Sequence, residues 1–395
     1  MTWINRHLLL IILISALYVC SCSREPQGTE TSHKKIKVKS INPLTVNIED
    51  ISVDYRFITL KHNKEFQIPR IDELFLDNFN IIAVSYSLQK IFVFDHNGEP
   101  QNVISRKGMS PDRYSLMKHV NYDSKNKQLE VLDSYLGKIF IYSLSGNFLK
   151  SLDINDHRAS GYKFYKLPSG YIFDRNNQSR ADKSHLAFYD KNLKHKSSFL
   201  PIPNVLLNFA LIQNSNTDCV GDSAYYIPPL STIIYSITPS GCLGKYYIDL
   251  PKQNIPSQEL LNRESFLTFK DYKYYMYKNH IASRVDYLNI TDDFVAFNCY
   301  ADDEKGKLRS QNIVYSKRSD STMQIGGYAS KKYTDFNYPG SRIIRKGNSF
   351  AMTFSAKYFS ALYKAGKRNL PPEILQNIKD NNPNPSILLF TQKTF

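Results

Sequence analysis

Tryptophan occurs once among 395 residues, at Trp3, and cysteine occurs five times. With no tryptophan in the body of the chain, the strongest platform for stacking on a sugar ring is missing. Sialidase-type Asp boxes are absent too. No two cysteines form a CxxC pair or a Cys/His ligand spacing, so the usual zinc-finger and thioredoxin readings fall away. Neither HExxH nor GxSxG occurs, which removes two common hydrolase signatures. A P-loop is absent as well. No apolar run reaches the ~20 residues that a membrane-spanning helix needs. The formal net charge is +15, but it is spread along the chain. Basic blocks interleaved with aromatics at a groove-like spacing are missing, which argues against a nucleic-acid partner.

The main apolar run, residues 8–19, follows Arg6 and His7 and precedes Cys20-Ser-Cys22. A basic start, a short apolar core and small residues after it describe an export signal. Val19-Cys20-Ser21-Cys22 resembles a bacterial lipobox, with Ser21 as the small residue before the lipidated cysteine. Residues 1–21 are therefore expected to be a lipoprotein signal peptide, and Cys22 the lipidation site. Cys20 follows the bulkier Val19 and fits poorly. Several acyl chains anchor stably where one does not, so the membrane is the first expected partner. Ser23 follows Cys22, which by resemblance to the usual sorting pattern favours the outer membrane, on its periplasmic or surface side. Residues 23–39 are polar and basic, and residues 22–40 read as a lipidated flexible tether.

What the remainder holds is a repeat. LQKIFVF at 88–94 and LGKIFIY at 136–142 are each followed by a polar turn, DHNG and SLSG, and then by a second strand-like run. Strand, glycine-bearing turn and strand make a β-hairpin, because glycine supplies the positive φ such turns need. LAFY at 186–189 and TIIY at 232–235 repeat the pattern, with Asn192 expected in the left-handed position. The closing aromatics Phe94, Tyr142, Tyr189 and Tyr235 are 48, 47 and 46 residues apart. IVY at 313–315 and ILLF at 387–390 continue the series after gaps of 80 and 75. A period of about 45 with several short strands per unit predicts a propeller blade. In the second unit the strands fall near 117–122, 128–132, 138–142 and 148–152.

The expected fold is all-β: a six-bladed β-propeller over residues 41–395, with four-stranded antiparallel blades and short helical inserts in the last two blades. Ser257 is expected to cap a helix carrying Leu260, Leu261, Glu264 and Leu267; residues 355–364 and 371–379 read as two more. Residues 44–60 have no blade of their own. They are expected to pair with the last blade and remove its open edge.

KIFVFDHNG at 90–98, KIFIYSLSGN at 138–147, TIIY followed by YYID at 246–249, and the closing NPSILLF at 384–390 resemble the six-bladed β-propeller lipoproteins of Bacteroidetes-type bacteria. That family is largely uncharacterised. The crossing ISRKGMSPDRY at 104–114 is similar to the family's Gly-x-Gly-Pro-Gly-Glu-Tyr pattern. It carries Ser110, Asp112 and Arg113 where the pattern prefers Gly, Gly and Glu. The resemblance runs from about residue 40 to the C-terminus. It implies fold and location, and the family has no agreed reaction.

Loops of an antiparallel meander alternate between two faces. The Gly98 and Gly146 turns share one face. The other carries the second-to-third turns and the crossings between blades, where propellers tend to hold ligands. The 104–114 crossing is expected to serve mainly as a connector, with Tyr114 packed between blades. Binding candidates on that face are Arg106, Lys107 and Arg113, with Tyr86 and Tyr135 as stacking platforms; blade packing is the plainer role for both tyrosines. Asp133, Asp174, Asp222 and Asp302 are placed near second-to-third turns. Cys219 and Cys242 either pair or, with Cys299, remain core thiols. The YKYYMY stretch at 272–277 is expected to pack an insert against a blade. No catalytic residue, metal ligand or cofactor is assigned. The leading reading is a non-enzymatic binding or interaction lipoprotein whose partner is a glycan, a peptide or a protein. The alternative is a propeller hydrolase or lyase acting on glycans or lactones, with carboxylates or histidines gathered on the channel. Membership of a protein complex would show as an exposed apolar patch on the helical inserts.

Overall fold

In Lys90–Asp95 and Lys138–Ser143 four consecutive residues are buried, on both faces of the strand. A strand sandwiched between two neighbouring sheets needs apolar side chains on both sides, which explains KIFVF and KIFIY. The computed structural model describes residues 33–39, 44–154, 161–175, 183–207, 216–262, 266–281, 285–302, 305–339, 343–346 and 349–395. Its strands form six antiparallel blades.

The first blade runs Glu73–Leu76, Asn80–Ser85, Lys90–Asp95 and Pro100–Ile104 from inner to outer strand. The second runs His119–Asp123, Gln128–Asp133, Lys138–Ser143 and Phe148–Asp153, matching the four expected strands to within a residue or two. The third runs Lys163–Leu167, Gly170–Asp174, Ser184–Asp190 and His195–Pro201. The fourth and fifth begin at Thr217–Val220 and Asp286–Ile290, and the sixth at Ile343–Lys346. Each closing aromatic of the repeat stands on the third strand of its blade. Phe94, Tyr142, Tyr189 and Tyr315 are wholly buried, and Phe390 nearly so. The period in the sequence is thus the period of packing between blades.

The N-terminal segment divides between two blades. Ser52–Thr59 forms the outermost strand of the sixth blade and pairs antiparallel with Ser386–Gln392, as expected. Leu44–Asn47, expected in the same blade, instead lies parallel on Ser321–Ala329 of the fifth. A strand also appears where a tether was expected. Lys34–Lys37 adds to the outer edge of the fourth blade. The alternation Lys-Ile-Lys-Val places Ile36 and Val38 inward, 0% and 4% exposed, while Lys35 pairs with Asp249 at 3.0 Å. Cys22 and the rest of the expected signal and tether lie outside the described residues.

The helices start where capping chemistry predicts. Ser257 Oγ accepts from Leu260 N, and Ser355 Oγ from Tyr358 N. The first insert helix is Gln258–Asn262, so it stops short of Leu267, which is 98% exposed. A second helix, Phe269–Lys278, follows under its own cap, Thr268. Ala356–Lys364 and Pro372–Lys379 form the two later helices. No helix among the described residues is long and apolar enough to cross a membrane.

In the third blade, Leu193 rather than Asn192 holds the left-handed position, at φ 57°. Leu193 is 6% exposed and packs with Ile139 and Tyr189. Burying a leucine is worth about 2 kcal/mol, comparable to the cost of its backbone conformation. All three cysteines of the propeller are free thiols. Cys219 and Cys242 lie on one row of the fourth blade with Ala224 and Ile237 between them. Three strand spacings put them roughly 14 Å apart, beyond disulfide reach.

Gly98 has φ +88°, and a Cβ there would stand 2.3 Å from the Thr59 carbonyl oxygen of the ring-closing strand. Gly366 has φ +84° with nothing within 4 Å. Gly98→Ala is therefore expected to cost roughly 3 kcal/mol or more, against about 1 kcal/mol for Gly366→Ala. Urea unfolding of both variants would reveal the difference; equal losses would show that the closing strand yields to the clash.

Candidate functional site

The crossing at 104–114 is held by its own backbone and by two buried tyrosines. Gly108 N donates to the Tyr114 carbonyl at 2.9 Å, and Arg113 N to Ser110. Tyr114 is wholly buried, as expected, and its hydroxyl donates to the Gln89 carbonyl at 2.8 Å. Tyr142 OH donates to the Asp112 carbonyl. Arg106 is half-buried; its Nε donates to the Gly146 carbonyl of the next blade at 3.1 Å. The alternation of loops would have kept this crossing away from the Gly146 turn. The twist of the blade swings its outermost strand round, so that Ile104 and Asn102 meet that turn. Lys107 and Arg113 are exposed.

Tyr135 is 81% exposed beside the crossing, its backbone N–H bonded to Asp133 Oδ1. Tyr86 packs between the first two blades. Its hydroxyl accepts from Val120 N and is pushed well above the usual range by burial and the Glu73 charge. It therefore stays protonated. Glu73 Oε1 also meets His119 Nε2 at 3.2 Å. His119 Nδ1 accepts from Phe164 N, so Nε2 carries the proton toward Glu73. This carboxylate–imidazole pair links the inner strands of three blades.

The four aspartates separate. Asp133 is wholly buried. Its Oδ2 accepts from Ser115 N, Ser115 Oγ and Leu116 N at 2.7, 2.7 and 3.0 Å. Its Oδ1 accepts from Tyr135 N and Leu136 N. It ties the crossing to the next second-to-third turn. Asp302 Oδ1 meets His280 Nδ1 at 2.7 Å, and Asp174 is 5% exposed. Asp222 lies between Thr217–Val220 and Ser223–Tyr226, a first-to-second turn, and accepts from Ser169 of the third blade. The fourth blade's first strands are short, which displaced the expected position.

An open cleft of about 870 Å³ lies at the seam between the sixth and first blades. Arg56, Thr59, Lys61 and His62 come from the ring-closing strand and its continuation, His96 and Asn97 from the Gly98 turn, and Glu373, Gln376, Asn377 and Asp380 from the Pro372–Lys379 helix and its end. Thr59 Oγ1 donates to the Glu373 carbonyl, fixing the helix to the strand. Asn382 Nδ2 donates to the Leu60 carbonyl at 2.9 Å. Asp380 Oδ1 accepts from Gln376 Nε2. Asn377 differs from these. It is 4% exposed, and its Oδ1 has no hydrogen-bond partner among the described residues.

A family model described as "Domain of unknown function (DUF4934)" matches residues 33–391. The chain belongs to the DUF4934 family. It is similar to a crystal structure of a "Putative exported protein" from Bacteroides fragilis, at 14% identity and TM-score 0.71, over 91% of this chain and 99% of that one. A member of the DUF4221 family from Bacteroides vulgatus is similar at 8% identity and TM-score 0.54, over 87% of this chain and 97% of that one. Both likenesses concern the fold. No curated protein matches the chain.

In this DUF4934 chain the cleft residues were not singled out from sequence. His62, His96 and Asn377 stand far apart, and only ring closure collects them. Among the described residues no three His, Cys, Asp or Glu side chains are grouped so as to hold a metal ion.

His185, on the third strand of the third blade, is 1% exposed, and neither ring nitrogen has a partner among the described residues. Burial lowers its pKa from 6.5 to about 3. The unfolded chain therefore binds a proton below pH 6.5 that the folded chain refuses. The contribution of this imidazole to stability is full above 6.5, declines as pH falls, and is gone near pH 3. The slope is roughly 1 kcal/mol per pH unit. Carboxylates join only nearer pH 4, so His185→Leu should flatten the urea midpoint between pH 6.5 and 5. An unchanged slope would mean that another group takes up the proton.

Proposed function

We propose that this DUF4934 protein is an exported lipoprotein, anchored to the outer membrane through Cys22, whose propeller binds a ligand without transforming it. The seam cleft is the binding site, and a neutral, hydroxyl-rich molecule such as a glycan is the ligand class. The observation that carries this reading is the unpartnered, buried Oδ1 of Asn377 in the wall of an open cleft. A buried acceptor left without a donor costs about 1–3 kcal/mol; rotation of the amide would turn this oxygen, closed to solvent as it stands, toward the cleft, where a ligand hydroxyl offers the missing donor. Around it the lining balances Arg56 and Lys61 against Glu373 and Asp380, and the remaining polar groups include amides and imidazoles. Such groups bond hydroxyls as donor and acceptor without favouring either sign of charge. The enzyme alternative asks for carboxylates or histidines gathered on the channel and free to act there. Glu73 and His119 form such a pair near the inner strands, but their atoms already serve Tyr86, Phe164 and each other.

Cys22→Ser should let a high-salt wash release the protein from the membrane fraction, where the parent needs detergent; retention of the variant through that wash would remove the lipid anchor from the reading. For the ligand, residues 33–395 hold the whole compact unit and can be scanned thermally against neutral oligosaccharides, peptides and divalent metals. At 100 times its Kd a ligand adds about 2.7 kcal/mol, a shift of a few degrees. Asn377→Ala should abolish the oligosaccharide response while leaving the unliganded Tm unchanged or raised, since it deletes an unsatisfied group. A response to peptide alone, or to a metal accompanied by turnover, would overturn the assignment.

A further inference from the structure

The helix Phe269–Lys278 buries one side and leaves the other with an unusual composition. At 100° per residue, Tyr272 and Met276 fall together and are 2% and 3% exposed. They pack on Leu260, Phe266 and Ile281 of the same insert. Around the opposite side, in angular order, come Lys273, Tyr277, Lys270, Tyr274 and Lys278, all exposed. Tyr274 and Tyr277 are 64% and 69% exposed, and Phe269 is 44% exposed. Leu267, just before the cap, is 98% exposed.

Water-facing helix surfaces usually mix both signs of charge. Here the exposed arc alternates lysine with tyrosine and contains no glutamate. The single acid, Asp271, is engaged with Thr268 at the cap: its N–H donates to Thr268 Oγ1, whose hydroxyl donates back to Asp271 Oδ2 at 2.7 Å. None of Lys270, Lys273 and Lys278 meets a carboxylate among the described residues. Lys273 Nζ instead lies 5.3 Å from the Phe269 ring centroid. Lysines interleaved with rings and bare apolar side chains suit a partner with two properties: anionic groups at its surface and an apolar phase just beneath. A bilayer with acidic headgroups has both. Lysine stems lie along the apolar boundary with their ammonium groups in the headgroups, and tyrosine places its ring and hydroxyl across the same boundary. An acidic protein or a polyanion would satisfy the lysines but give Leu267 nothing.

We infer that the Lys270–Lys278 arc, with Leu267 and Phe269, is a membrane-resting surface that docks on an anionic bilayer and sets the orientation of the propeller there. The surface acts independently of any lipid on Cys22, so the test uses residues 33–395, which carry neither the anchor nor the export signal. The probes are vesicles of phosphatidylcholine alone and of phosphatidylcholine mixed with phosphatidylglycerol, and the readout is co-sedimentation. Binding is expected to the acidic vesicles only. Lys270→Glu/Lys273→Glu/Lys278→Glu should lower the partition coefficient roughly a hundredfold, from about a tenfold effect or less per lysine. Lys64→Glu/Lys125→Glu/Lys191→Glu carries the same net charge and reverses exposed lysines outside the insert, so it should bind as the parent does. Leu267→Ser/Tyr277→Ser should weaken binding while keeping all three lysines. Equal loss in both triple variants would show mere attraction by net charge. Loss on charge reversal with no effect of Leu267→Ser/Tyr277→Ser would show an acidic partner instead of a bilayer. Absence of binding to acidic vesicles would overturn the inference outright. Unchanged circular dichroism in each variant keeps these outcomes from being confused with unfolding.

Discussion

Seven residue pairs join Ser52–Thr59 to Ser386–Gln392, from Thr59 opposite Ser386 to Ser52 opposite Gln392. In the other blades the four meander strands are consecutive in sequence, with Lys34–Lys37 and Leu44–Asn47 only added to the fourth and fifth, but this pairing supplies one of the four strands and closes a loop of more than 300 residues. Loop closure costs entropy before any contact returns it, though the cost grows only slowly with length. Once made, the pairing gives the sixth blade its outer strand and leaves the ring without a missing edge. Neighbouring groups reinforce it. Lys61 N donates to the Gly98 carbonyl, and Leu60 N to Pro385. Asn384 receives Ile68 N and donates to the Lys61 and Phe66 carbonyls. Glu49, just before the strand, is opposed by burial yet held near pKa 2 by hydrogen bonds from Ser330, Lys331 and Tyr55, so the N-terminal segment is tied to the fifth blade as well.

A shared device locks adjacent blades. The glycine turn between third and fourth strands sits against the end of the preceding blade's outermost strand. Gly98 meets Ile58 and Thr59, and Gly146 meets Asn102 and Ile104. Because one of those outermost strands is the N-terminal segment, ring closure uses the same contact as the boundary between the first and second blades. The opening is sealed by the interaction the repeat already provides.

This explains what could be read in advance. A blade repeats its packed aromatics, so Phe94, Tyr142, Tyr189 and Tyr235 announced the period, and the Ser257 cap announced the first insert helix. Features that depend on company rather than period stayed hidden. Ile36 and Val38 alternate over too few residues to stand out from a lysine-rich segment. Leu193 takes a glycine-like conformation only because a pocket waits for its side chain. Asp222 was misplaced because its blade is irregular. The cleft was the least legible of all: it joins residues from both ends of the chain, and an asparagine in a helix looks like any other until its neighbours are known.

That separation has a consequence for energetics. Arg56 and Thr59 belong to the closing strand, His96 to the first blade, and Asn377 to a helix inserted in the last. A molecule spanning these groups contacts both sides of the seam, and it can do so only while the seam is closed. Its binding free energy is therefore added to closure by mass action, whatever its chemistry. Local opening of the seam competes directly with binding, and native-state exchange at the seam reports on both. A site built on the ring's least local contact thus couples occupancy to the integrity of the fold, whereas a site within one blade would leave closure untouched.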